Sequence, residues 1–176
     1  MMTILSNIKE LVMEESSTVN SKQYVTFCLA EELFGVEVNR TREILSVISV
    51  TSVPQTPDYM LGVINLRGQV VPVIDMRLKL GLSAAAETQD TCIIVVEVLV
   101  DGEPIVVGAL ADAVREVLEI KSDAIEPPPR LGTRLNTEFI KGMGKIDEEF
   151  LILLDIDKIF NSDELALVQE VAEETV

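Results

Sequence analysis

Gly62-Val63-Ile64-Asn65-Leu66-Arg67-Gly68-Gln69-Val70-Val71-Pro72-Val73-Ile74-Asp75 holds two apolar runs separated by a turn signal. Apolar and β-branched residues on both sides of Arg67-Gly68 favour two short strands. Gly68 can take a positive φ without a Cβ clash, as a tight hairpin requires. The carboxylate of Asp75 is placed to cap a short helix, Met76-Arg77-Leu78-Lys79-Leu80, which Gly81 can end. One arginine therefore stands at the tip of a rigid hairpin.

The same pattern returns later in the chain. Gly62, Val63, Leu66, Val70, Val71, Val73, Ile74 and Asp75 align with Gly142, Met143, Ile146, Phe150, Leu151, Leu153, Leu154 and Asp155 at an offset of 80 residues. Gly35, Val38, Arg42, Glu43, Ile44 and Leu45 align with Gly108, Ala111, Arg115, Glu116, Val117 and Leu118 at an offset of 73. Two copies of one all-β unit follow, each of about five strands. Short strands with one buried face curl and close, which removes exposed edges. The expected architecture is two small barrels sharing a seam, barrel 1 over residues 23–82 and barrel 2 over 91–161, and the seam is a natural place for a partner-binding groove. The copies differ at their tips: Arg67-Gly68 in the first is Asp147-Glu148 in the second.

Around this frame, residues 1–22 carry a helical spacing of Ile4, Ile8, Leu11 and Val12 and read as a flexible tail. Tyr24–Leu29 and Phe34–Val38 read as strands joined at Glu31-Glu32, and Asn39 can cap a single helical turn through Arg42. An extended run over Val47–Val53 is closed by Pro54 and Pro57. Residues 83–90 form a small polar connector. Thr91–Val98, Pro104–Leu110 and Glu116–Ile120 read as strands, with Asp101-Gly102 as a hairpin turn. Ile125-Glu126-Pro127-Pro128-Pro129-Arg130 reads as an extended surface loop, because three prolines suit neither helix nor central strand. Phe139–Ile146 and Phe150–Leu154 form the last hairpin. Asn161 and Glu164 resemble a capping box, so a C-terminal helix is expected over 162–176.

Composition narrows the function. The 176-residue chain carries a net charge of −16 with a pI near 4.3, which repels nucleic acid and anionic membranes. Cys28 and Cys92 each sit alone in an apolar strand pattern and read as buried thiols in a reducing compartment, not as a disulfide framework. No apolar run is long enough to span a membrane. The chain has no histidine, which removes the commonest general base and metal ligand. No catalytic residue, metal site or cofactor is expected. Asp75 and Asp155 are related by the repeat and could be compared with the paired carboxylates of a two-lobed acid hydrolase. Each is followed by an apolar residue and a short helical pattern, and helix capping explains both.

Asn65–Arg77 closely resembles the signature hairpin of the CheW family, the bacterial chemotaxis coupling proteins. The similarity runs from Tyr24 to about Asn161 and includes Phe34–Val38, Arg42-Glu43-Ile44, Val106-Val107-Gly108 and Phe139–Gly142. It implies two SH3-like five-stranded barrels in a CheW-like domain over 23–161. It also implies a non-enzymatic, cytoplasmic adaptor joining the histidine kinase CheA, through its regulatory domain, to the cytoplasmic hairpin tips of chemoreceptors. With no receiver domain or kinase core, the chain looks like the stand-alone adaptor. Receptor-contact positions carried over by the resemblance are Val38, Thr41, Glu43, Ile44, Arg67 and Val107. Kinase-contact positions are Ile125, Glu126 and Leu131, where Glu126 and Leu131 stand in place of a basic and an aromatic residue. The alternatives from the residues alone are a two-barrel protein-binding regulatory domain outside chemotaxis, a barrel pair binding a small molecule, and the Asp75/Asp155 hydrolase.

Overall fold

A computed structural model describes residues 21–46, 49–127 and 137–160. Among these residues, eleven strands form two sheets. In chain order they are β1 (Ser21–Leu29), β2 (Glu32–Glu37), β3 (Thr41–Ser46), β4 (Met60–Leu66), β5 (Gln69–Asp75), β6 (Cys92–Val100), β7 (Glu103–Ala111), β8 (Ala113–Lys121), β9 (Ile125–Glu126), β10 (Ile140–Ile146) and β11 (Glu149–Leu154). Two four-residue helices, α1 (Met76–Lys79) and α2 (Ile156–Ile159), follow β5 and β11. The described residues thus form two SH3-like barrels, with only short helices among them.

The sheets do not divide where the chain does. One sheet has the order β3-β6-β7-β5-β4 and the other β8-β1-β2-β11-β10-β9. Each half of the sequence lends its first hairpin to the barrel of the other half. The division into barrel 1 over 23–82 and barrel 2 over 91–161 is therefore not how the strands assemble. The links explain the crossing. A chain reversing within a sheet needs at least a two-residue turn, yet only Asp112 separates β7 from β8. The β2–β3 link is one 3₁₀ turn, Val38–Arg40. Both links carry the chain into the opposite sheet. The repeat survives intact: parallel pairing sets Val73 opposite Gly108 in one sheet and Leu153 opposite Gly35 in the other.

Each barrel has a small core of its own, Ile64, Val71, Val73, Ile93 and Val95 in one and Tyr24, Ile120, Leu151 and Leu153 in the other. The largest core lies between them and draws on both sheets, with Phe27 and Phe34 stacked at 5.9 Å beside Val25, Ile44, Ile74 and Ile94. Alternating strand residues feed these cores in turn: Ile93 and Val95 face the barrel interior, Ile94 and Val96 the seam. The seam expected as a groove is therefore packed with side chains.

Local details confirm some expectations and correct others. Asp75 Oδ1 accepts hydrogen bonds from the backbone N–H groups of Arg77 (2.9 Å) and Leu78 (3.4 Å), capping α1, and Gly81 follows with φ +88°. Asp155 occupies the equivalent N-cap position of α2, but its side chain makes no capping bond. The helical turn ends at Arg40, and Arg42 is already in β3. β1 begins at Ser21, inside the segment read as tail. Ile125 and Glu126 pair with Gly144 and Met143 as β9. Cys92 is fully buried, whereas Cys28 is only half-buried; both are free thiols. The N-terminal helical spacing, Leu131 and the expected C-terminal helix lie outside the described residues.

Candidate functional site

The tip between β4 and β5 puts both Arg67 (φ +51°) and Gly68 (φ +87°) in the left-handed region. That is the backbone of a two-residue turn whose twist matches its strands. Arginine adopts it at a cost, and two contacts hold it there. Asn65 Oδ1 accepts the Gly68 N–H at 2.8 Å. The Arg67 guanidinium forms a two-pronged ion pair with the Glu43 carboxylate of β3, one prong at 3.4 Å and the other shorter. Arg67 is 72% exposed and Glu43 only 19%. The carboxylate beside it raises the arginine further above its ordinary range, so it is cationic at every physiological pH.

Behind the pair, Arg42, Glu43, Leu66, Arg67, Gln69, Val95 and Val106 line a depression of about 280 Å³. Val95 is fully buried in the small core of this barrel and the half-buried Leu66 and Val106 pack on it, so a limited apolar surface lies within a mostly polar, charged rim. Arg42 extends the rim through an ion pair with Glu97 of β6, its Nε donating at 2.9 Å. Sequence reading singled out neither the Arg42–Glu97 pair nor this floor. The available signal was Glu97, the lone charge in the apolar run Cys92–Val100.

The residues expected at a receptor contact separate into two groups. Glu43 and Arg67 are joined at the rim. Val38 (0% exposed), Ile44 (1%) and Val107 (0%) sit in the core between the barrels. Thr41 is buried and its hydroxyl donates to the Glu37 carbonyl at 3.1 Å. The split follows from strand alternation: Glu43 and Ile44 are neighbours in β3 and point to opposite faces. At the equivalent tip of the other barrel, Asp147 has φ +54° and Phe150 is 55% exposed.

Of the expected kinase contacts, Glu126 is exposed and Ile125 half-buried on β9. Gly142 permits that strand to approach, since a Cβ there would meet Ile125 Cγ2 at 2.5 Å. Among the described residues, no three histidine, cysteine, aspartate or glutamate groups are arranged to hold a metal ion, and no helix is long and apolar enough to cross a membrane.

Comparison with known proteins agrees with this frame. Residues 23–164 match the CheW-like domain. The chain belongs to the CheW family. It is 37% identical over 151 residues to the chemotaxis protein CheW of Klebsiella aerogenes, covering 86% of this chain and 89% of that protein. It is 34% identical over 147 residues to chemotaxis protein CheW of Rhizobium meliloti, covering 84% and 92%. The crystal structure of the scaffolding protein TtCheW from Thermoanaerobacter tengcongensis superposes with a TM-score of 0.73 at 37% identity, covering 81% of this chain and 94% of that one. As a CheW family member the protein is a chemotaxis scaffold that acts through protein partners, not an enzyme. The hydrolase reading of Asp75 and Asp155 gains no support.

Proposed function

We propose that the protein works in the cytoplasm and couples the histidine kinase CheA to the hairpin tips of chemoreceptors, with the Arg67–Glu43 rim as the receptor-facing site. The observation that carries this is the exposure of Arg67, a cation held in a fixed direction at the mouth of a charged depression that also presents Leu66 and Val106. A helical hairpin can lay apolar side chains on the half-buried Leu66 and Val106 while Arg67 donates to its carbonyl or carboxylate groups. Val38, Thr41, Ile44 and Val107 then serve the site from beneath, by fixing β3 and β7 against the central core. Ile125, Glu126 and Leu131 are proposed as kinase contacts, the first two on β9 of the opposite barrel from the Arg67 tip.

Binding of a soluble receptor fragment to the Arg67→Glu and Asp147→Arg variants tests the assignment, with the repeat as internal control. Arg67→Glu is expected to weaken binding about tenfold or more with an unchanged melting temperature, and Asp147→Arg to bind nearly as the parent does. Equal losses from the two substitutions would mean that the tips act through overall charge. A large fall in melting temperature for Arg67→Glu would make the arginine structural.

A further inference from the structure

Two ion pairs each tie the inter-sheet link of one half to the short helix of the other, beside the pairs Arg42–Glu97 and Lys141–Glu37 that also join the halves. In the first, Arg77 of α1 donates through Nε to Asp112 at 2.8 Å, with a second prong at 2.5 Å. Asp112 also accepts the Ala30 N–H at 2.8 Å. In the second, Arg40 donates to Asp157 of α2, one prong at 3.1 Å, and Asp157 accepts the Leu99 N–H at 2.8 Å. Arg77 and Asp157 are equivalent, 80 residues apart, and Arg40 and Asp112 lie in the equivalent β2–β3 and β7–β8 links. The placement repeats, with the two link residues one position out of register, but the polarity of these two pairs is inverted. Both cations come from the first half, and both anions from the second.

From this inversion we infer a pairing code that makes the two halves complementary to each other and repulsive to their own kind. The code matters because the hairpins are exchanged. Any second copy of this chain offers the same strands in the same register, so barrels could also form between like halves of two molecules. First half against first half would set Arg40 opposite Arg77 at both seams. Second half against second half would set Asp112 opposite Asp157. Like charges so juxtaposed oppose association, and unlike charges fix the partner. The partner excluded by this surface is therefore the like half of a second copy.

Exchange of charge at one seam separates this role from simple stabilisation. Arg40→Asp with Asp157→Arg keeps an ion pair at both seams of the native chain. It also gives each half one cation and one anion, so like halves now match. Arg77→Asp with Asp112→Arg does the same from the other seam. All four substitutions together restore two like charges per half. Full-length chains, one batch carrying an affinity tag, are unfolded together and refolded, and dimers containing one tagged and one untagged chain are counted by native mass spectrometry. We expect each two-residue exchange to raise that dimer fraction about tenfold or more over the parent, and the four-residue exchange to return it to the parent level. Dimer fractions that match the parent in both two-residue variants would overturn the code. So would a four-residue variant as dimeric as either of them. If one two-residue variant does not refold, the other carries the test.

Discussion

Arg67 and Glu43 were both visible in the sequence as separate charges, one on a hairpin tip and one just after the second strand. What the sequence did not show was that they form one unit. The strands that bring them together, β3 and β4, lie at opposite ends of their sheet's hydrogen-bonding order, so their approach depends on that sheet curling. The two cysteines make a second contrast at this scale. Burial pushes the Cys92 thiol up to about 11, leaving almost no thiolate at neutral pH. Cys28 is half-buried and accepts a hydrogen bond from Arg115 Nε at 3.0 Å. An alkylating reagent at pH 8 is therefore expected to label Cys28 and leave Cys92 unmodified in the folded protein. Peptide mapping after a timed reaction reads this directly, and equal labelling of both would contradict the burial of β6.

Individual elements were the most legible level, because each carries its own signal. The β4–β5 hairpin, the capped α1 and the β10–β11 hairpin stand where strand alternation, Asp75 and the repeat put them. The missed element, β9, is only two residues long and precedes three prolines, so composition argued for a loop. Its counterpart in the other barrel is the isolated bridge between Thr51 and Val63. Both cover the edge of the strand that begins the tip hairpin, and both demand a glycine beneath them. At Gly62, with φ +146°, a Cβ would stand 2.0 Å from the Thr51 carbonyl oxygen. Gly62→Ala is expected to cost about 1–3 kcal/mol from backbone strain and to lower the melting temperature by several degrees. Gly102→Ala, at a left-handed turn with open space around it, is expected to cost less. A calorimetric ranking with Gly102→Ala as the costlier change would refute the covering role of the Thr51 segment.

At the scale of the whole molecule, the repeat announced two similar barrels but left their strand exchange hidden. Sequential and exchanged assembly place the same strands in the same order, and only the one-residue link at Asp112 and the 3₁₀ turn at Val38–Arg40 distinguish them. The seam pairs that accompany the exchange make stability pH-dependent. Burial pushes the Asp112 and Asp157 carboxyls up, but the Arg77 and Arg40 guanidinium groups more than offset this and hold both below the usual range. Groups with depressed folded values stabilise the protein above the ordinary carboxylate range of about 4 and lose that contribution as pH falls through the folded values. Melting curves from pH 7 down to 2 should show the parent losing stability more steeply than Asp112→Asn or Asp157→Asn below about pH 4. Parallel curves would show that neither pair contributes. The function proposed for the assembled molecule is to hold two partners at once, and retention on the immobilised full-length protein measures this. The purified kinase CheA and a soluble receptor cytoplasmic fragment are applied singly and then together. Each is expected to be retained alone, and both together, in saturable, stoichiometric amounts. Displacement of one by the other, or failure to retain either, would contradict it.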